Sequence, residues 1–213
     1  MNRETILRYL LDTYQPDGII TYGSFADGSA GIGSDFDALV IGGTRETHDD
    51  SIVDGTVLDV WVYPAAKFEA PYAAEDFYQI HDGEIVLDRT GAAKALRDTV
   101  RSAIAAIPEK SREELSRDVS WCRKMLTRAE RGDAEGFYRR HWLLTESLEI
   151  YCDLTRQPWF GPKKALRRMR EADGVSYALY EAALRDVARE ALERWVGRLE
   201  ELVKRAEDAE SFQ

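Results

Sequence analysis

The chain has 213 residues, of which 44 % are hydrophobic and 32 % charged, with 6 Pro and 15 Gly. This composition is typical of a folded globular protein and excludes a disordered or fibrous chain. No stretch approaches the roughly 18 to 20 consecutive apolar residues that a membrane helix needs, and the N-terminal segment does not resemble a signal peptide, so we expect a cytoplasmic protein. Cys122 and Cys152 lack the spacing of a zinc site, and we expect no disulfide framework.

The formal net charge of -10 is distributed unevenly. Residues 1–95 contain 17 Asp and Glu against 6 Lys and Arg, whereas the remainder contains 22 against 23. An acidic surface repels a phosphate backbone, so we expect no long nucleic acid as a partner, and a template-directed polymerase is disfavoured. A nucleoside triphosphate is also anionic. If one binds, a divalent metal and basic side chains from the second half must offset the repulsion.

Strand and helix patterns alternate in the first half. The predicted elements are, in order, a helix over residues 3–14, a strand over 19–22, a short helix over 25–29, a strand over 36–41, a polar loop over 44–54, a strand over 56–63, a segment without a clear pattern over 65–83, a strand over 84–87 and a helix over 91–107. The third strand places Val57, Asp59, Trp61 and Tyr63 on one face.

Only helix patterns remain beyond residue 110. The predicted helices are one that begins at the capping box Ser111–Glu114, one that carries residues 137–151, one that opens at Gly161-Pro162 and ends near Gly174, and a long last one over 176–206. The sequence therefore predicts an α/β domain over residues 1–108 and an all-helical domain over residues 109–213.

Three aspartates of the first half are candidate metal ligands. Asp35 and Asp37 are separated by one residue at the start of a predicted strand, so both side chains leave the same face. Two carboxylates in one small volume repel each other unless a cation lies between them, and Mg²⁺ prefers such oxygen ligands. Asp59 lies on the next predicted strand among apolar residues, where an unpaired carboxylate is costly. If the two strands are adjacent, Asp59 completes a triad.

A glycine-serine turn precedes these carboxylates. Gly23 permits a close approach of the backbone to a phosphate, and Ser24 adds a hydroxyl and an amide at the start of a predicted helix. A phosphate-binding turn and a metal site would then face one crevice. The chemistry that uses both is in-line attack at the α-phosphorus of a nucleotide.

Together these residues resemble a known signature. The segments Gly23-Ser24, Gly28 and Ser34-Asp35-Phe36-Asp37, with Asp59, resemble the motif of the polymerase beta nucleotidyltransferase superfamily over roughly residues 17–63. The resemblance implies an α+β fold with a small mixed sheet flanked by helices. It implies ATP or another NTP as substrate, bound at Gly23, Ser24 and Ser34, and two Mg²⁺ ions with Asp35, Asp37 and Asp59 as ligands.

The helical half is similar only in plan to kanamycin nucleotidyltransferase, which implies a helical-bundle domain and suggests a homodimer. By this resemblance Glu146 is the alternative to Asp59 as the base that takes the acceptor proton; otherwise it is a salt-bridged surface residue. Lys163 and Lys164 lie in the first turn of a predicted helix, where lysine opposes the helix dipole unless an anion is near. They are interpreted either as ligands of the NTP phosphates or as solvated charges.

The three histidines show no pattern of a catalytic pair. His48, His81 and His141 are interpreted as loop, turn and core residues, respectively. Ribonuclease activity of the helical half is disfavoured, because the positions five and six residues before His141 hold Gly136 and Glu135 instead of the arginine that such domains carry.

The leading functional prediction is transfer of a nucleoside monophosphate, first of all AMP, to a hydroxyl of a small molecule such as an aminoglycoside-like antibiotic. The acidic first half would attract a cationic acceptor. One alternative is a protein acceptor, as for nucleotidyltransferase antitoxins. The other is a non-catalytic nucleotide-binding module, against which the three carboxylates argue.

Overall fold

The protein divides into two compact units in the computed structural model. The structure describes residues 3–210, with side chains up to residue 205. The units comprise residues 1–107 and 108–213, a division one residue before the predicted boundary. Each unit has a hydrophobic core of its own.

The first unit is built on a mixed sheet. Its elements are α1 (Arg3–Tyr14), β1 (Gly18–Tyr22), α2 (Gly23–Ala26), β2 (Phe36–Ile41), β3 (Thr47–Asp49), β4 (Ile52–Val53), β5 (Thr56–Tyr63), two 3-10 helices (Ala65–Phe68 and Ala74–Ile80), β6 (Glu84–Asp88) and α3 (Ala92–Ala105). The strand order is β3-β5-β2-β1-β6, and β4 pairs with β5. Strands β2 and β5 are parallel, whereas the other described pairs are antiparallel. The predicted fold class is confirmed.

Both faces of this sheet are covered. On one face, Ile6 and Leu10 of α1 pack against a cluster of strand residues that includes Phe36 and Val60. On the other face, α3 and the second 3-10 helix cover Leu39 and its neighbours. Two buried faces explain why the central strand β2 is almost wholly apolar.

The predicted polar loop over 44–54 is wrong, because the segment contains the short strands β3 and β4. Both pair antiparallel with β5 and are only three and two residues long. Strands this short show no recognisable alternation of polar and apolar residues, and they form only through their pairing with β5. The short helix α2 also differs from the prediction, since it begins at Gly23 instead of Phe25.

The second unit is helical throughout its described part. Its elements are α4 (Arg112–Arg128), α5 (Ala134–Leu154), α6 (Pro162–Ala172), α7 (Gly174–Asp186) and α8 (Arg189–Glu210). The predicted capping box is present at the start of α4: the Ser111 hydroxyl accepts from the backbone N–H of Glu114, whose carboxylate accepts from the backbone N–H of Ser111. The core surrounds the fully buried Trp195.

Two predictions for the second unit are wrong. The long last helix is interrupted, because Val187 adopts a left-handed conformation with a φ of 48° and separates α7 from α8. His141 is exposed and is no core residue. The buried stripe of α5 is centred on Ser147 and Tyr151, so position 141 lies at its margin.

Cys122 and Cys152 are buried, unbridged residues of α4 and α5. None of the helices that the structure describes has the length and apolar character to cross a membrane.

Candidate active site

Asp37 and Asp59 lie side by side on one face of the sheet. They are register partners in the parallel pair of β2 and β5, and Tyr22 lies opposite Asp37 on β1. Because paired residues of adjacent strands point to the same face, the carboxylates share one side of the sheet. This is the side that carries Leu39, opposite the face against which α1 packs.

Asp35 is exposed and precedes β2 by one residue. The alternation of β2 places it on the side of Asp37, but outside the regular strand. Among the described residues, no group of three or more His, Cys, Asp or Glu side chains is arranged to hold a metal ion. The structure therefore aligns two of the predicted carboxylates directly and places the third at the open end of their strand.

The backbone at Gly23 lies against the Asp37 carboxylate. Gly23 has a φ of +66°, and a Cβ at this position would lie 2.2 Å from Asp37 Oδ2. The contact requires glycine both for its conformation and for its lack of a side chain. Ser24 follows as a buried residue of α2.

Ser34 closes the turn that precedes Asp35. Its backbone N–H donates to the Gly31 carbonyl at 3.1 Å, and its hydroxyl accepts from the Gly31 N–H at 3.0 Å. The hydroxyl thus has a structural partner in the loop that leads into β2.

Sequence reasoning missed the part that Tyr22 plays beside these carboxylates. Burial, followed by the charges of Asp59 and Asp37, raises the pKa of the Tyr22 phenol well above its usual value, while a hydrogen bond with Gln79 acts in the opposite direction. The phenol therefore stays protonated at neutral pH. The position of Tyr22 directly before Gly23 was the available signal, but only the strand register shows which carboxylate it faces.

His48 was also missed, because its strand was not predicted. Its Nε2 lies 2.8 Å from Asp59 Oδ1, and its ring lies against Trp61 with 4.5 Å between ring centroids. The side chains of His48 and Asp59 are 39 % and 46 % exposed, so the pair is accessible to solvent.

The second unit carries the other candidates. Glu146 is exposed on α5 and lines a cavity of about 360 Å³. The remaining lining residues are Lys110, Asp118, Trp121, Trp142, Glu149, Ile150 and Asp153. Lys110 Nζ lies 2.8 Å from carboxylate oxygens of both Asp118 and Asp153. Burial, assisted by the charge of Asp153, raises the pKa of Glu149. The cavity contains four carboxylates and one ammonium group, a balance that favours a cationic ligand.

Lys163 and Lys164 lie in the first turn of α6, as predicted. Lys163 is exposed, and the Lys164 ammonium lies 5.6 Å from the centroid of the Phe160 ring. No acidic residue occupies that turn, so the side chains oppose the helix dipole.

The first unit is similar to known proteins. Residues 3–87 match the model of a family described as nucleotidyltransferase domain. The match confirms the predicted resemblance to the polymerase beta nucleotidyltransferase superfamily over this part of the chain. No curated protein matches the chain. A solved structure of a nucleotidyltransferase-like protein from Exiguobacterium sibiricum 255-15 is similar at 17 % identity, covering 95 % of this chain and 73 % of that one, with a TM-score of 0.37.

Proposed function

We propose that this chain, whose residues 3–87 match the nucleotidyltransferase domain, transfers a nucleoside monophosphate, in the first instance AMP, from an NTP to a hydroxyl of a cationic small molecule such as an aminoglycoside, with release of pyrophosphate. The observation that carries the proposal is the alignment of Asp37 and Asp59 on neighbouring strands, with the backbone of Gly23 against the first of them.

The donor chemistry of this site fits a divalent metal. Carboxylate oxygens are hard ligands of the kind that Mg²⁺ selects, and two of them on one face repel each other in the absence of a cation. In this proposal Asp35, Asp37 and Asp59 hold two Mg²⁺ ions. When bound, the metal would neutralise charge on the triphosphate and favour ionisation of the acceptor hydroxyl.

The chain's own residues bind the triphosphate and move the proton. We assign Gly23, Ser24 and Ser34 to the triphosphate, since a glycine backbone permits close approach and hydroxyl groups donate to phosphate oxygens. Lys163 and Lys164 are proposed to supply positive charge to it. Asp59 is proposed to take the proton of the acceptor hydroxyl, with Glu146 as the alternative base.

The charge of the chain supports a cationic acceptor. Residues 1–95 carry 17 acidic against 6 basic side chains, and the cavity lined by Glu146 in the second unit contains four carboxylates beside Lys110. The face of Trp142, which also lines the cavity, can attract an ammonium group. Negative potential of this kind raises the local concentration of a polyamine.

The test is transfer of α-labelled ATP, and of the other NTPs, to a panel of aminoglycosides in the presence of Mg²⁺. The variant Asp35→Asn/Asp37→Asn should lose transfer, whereas Asp12→Asn, an exposed aspartate of α1, should retain it. Label transfer that survives the double substitution would refute the site. Glu146→Gln decides between the two bases, because Asp59→Asn also removes a proposed metal ligand. A lower kcat with NTP binding retained in Glu146→Gln would identify Glu146 as the base, and an unchanged kcat would leave Asp59.

The panel also includes a cell protein extract. Label that appears only on a polypeptide would replace the small-molecule acceptor by a protein. Nucleotide binding without transfer to any acceptor would reduce the chain to a binding module.

A further inference from the structure

We infer that His48 is a positioning residue for the Asp59 carboxylate, an inference that rests on the proposed nucleotidyl transfer. Its Nε2 lies 2.8 Å from Asp59 Oδ1, within the range of a charge-assisted hydrogen bond. With Nε2–H as the donor, the imidazole fixes one oxygen of the carboxylate. Within the part of the chain that the structure describes, the other oxygen, Oδ2, takes part in no hydrogen bond.

The imidazole is itself held in place. Strand β3 pairs antiparallel with β5, and the register sets His48 opposite Trp61. The two rings pack with 4.5 Å between centroids, and Trp61 in turn stacks on Tyr63 at 6.2 Å with an interplanar angle of 17°. Stacking thus restricts the histidine ring, and the ring directs Nε2 to the carboxylate two residues before Trp61.

This contact gives Asp59 an orientation that its strand alone does not supply. The terminal torsion of an aspartate is broad, and the Asp59 side chain is 46 % exposed. Asp37 is restrained differently, by the close approach of Gly23. A backbone contact thus restrains the Asp37 carboxylate, and a hydrogen bond restrains the Asp59 carboxylate. Hydrogen bonds of this kind orient metal-binding carboxylates in other sites.

The exposure of the pair separates this role from a contribution to stability. Solvent-exposed contacts to a charged group add little to folding, because water and salt screen them. Removal of the imidazole nitrogen should therefore leave the melting temperature close to that of the wild type. The loss should appear instead in metal affinity and in kcat.

The experiment compares two substitutions at position 48. His48→Phe retains a ring that can stack on Trp61 but removes the hydrogen bond, whereas His48→Gln retains an N–H donor near the position of Nε2. Binding of Mn²⁺ alone is measured by calorimetry and by electron paramagnetic resonance, and transfer is measured on the full chain. His141→Phe, at an exposed histidine of α5, is the matched control.

We expect His48→Phe to weaken Mn²⁺ binding about tenfold and to lower kcat by about ten- to a hundredfold, the usual effect of removing a group that orients a ligand. The KM for the acceptor should change little, and His48→Gln should recover part of both losses. His141→Phe should match the wild type.

Two results would overturn the inference. Unchanged Mn²⁺ affinity and kcat in His48→Phe would show that the hydrogen bond has no role in the site. Tighter Mn²⁺ binding in that variant would show that the imidazole competes with the ion. A wild-type protein that neither binds Mn²⁺ nor transfers label would instead reject the proposed function, and the inference with it.

Discussion

Replacement of Gly23 by alanine tests the contact between the turn and the Asp37 carboxylate. The glycine has a φ of +66°, and a left-handed conformation costs an L-residue about 1 to 2 kcal/mol. The new Cβ would also lie 2.2 Å from Asp37 Oδ2, whereas ordinary contacts of a Cβ begin at 3.4 Å. The difference between 3.4 and 2.2 Å means that the carboxylate, the turn or both must move by about 1.2 Å.

A displacement of about 1 Å in a catalytic constellation can lower turnover about 100-fold. We therefore expect Gly23→Ala to lose about two orders of magnitude in kcat/KM. The matched control is Gly28→Ala: Gly28 has a φ of +74°, but no atom lies within 4 Å of the Cβ it would receive. Both variants bear the backbone cost, and only the first disturbs a carboxylate.

The assay pairs urea unfolding of each variant with initial rates of nucleotidyl transfer at a temperature where both remain folded. A loss of unfolding free energy in Gly23→Ala at least as large as that in Gly28→Ala, with a loss of kcat/KM confined to Gly23→Ala, would support the reasoning. Equal rates in the two variants would refute it, because the contact with Asp37 would then have no consequence for turnover.

Three further predictions concern stability and reactivity. Burial tends to raise the pKa of Asp49, but hydrogen bonds from neighbouring hydroxyl groups outweigh burial and lower that pKa. The ionised Asp49 therefore stabilises the folded state above the ordinary carboxylate pKa, and this stabilisation is lost as the pH falls through the pKa of the folded state. Asp49→Asn should flatten the acid limb of the free energy of unfolding against pH, and an unaltered limb would contradict this assignment. Burial raises the pKa of Cys122 to about 12 and that of Cys152 to about 11. Both thiols should therefore react with a disulfide reagent at neutral pH only after the protein unfolds. Rapid labelling of the folded protein would show instead that the thiols are accessible. Arg198 Nη2 lies 3.2 Å from Asp173 Oδ2 in a partly exposed pair. Arg198→Met should lower the free energy of unfolding by about 2 to 3 kcal/mol, less than the loss expected from breaking a fully buried pair. Thermal and urea melts that match the wild type would reject this prediction.

The carboxylate pair could be predicted because each aspartate lies in a strong strand pattern. The apolar run of β2 and the alternation of β5 identified both strands and the face that Asp59 occupies. The two aspartates are neighbours only because β2 and β5 pair in parallel, and the sequence did not establish that pairing. The contact of His48 could not be predicted, because β3 is a three-residue edge strand that its partner defines.

Tertiary packing also determined the break in the last predicted helix. The apolar pattern of α7 continues into α8, and neither glycine nor proline marks their junction. Val187 interrupts the helix in a left-handed conformation that its residue type disfavours, and its side chain packs against the core of the second unit. The local sequence pattern cannot predict this break, because the unfavourable backbone conformation of Val187 is offset by the burial of its side chain.

The parallel register of Asp37 with Asp59 makes their spacing a property of the main chain. Neighbouring strands lie about 4.8 Å apart, and the ladder of hydrogen bonds leaves little freedom to change that separation. One extra methylene at either position would therefore displace a carboxylate oxygen, and the backbone could not move to compensate for that displacement. Asp37→Glu, although it keeps the charge, should therefore cause a severe loss of activity. A change in the length of the connection between β2 and β5 should leave the distance between the two aspartates unchanged.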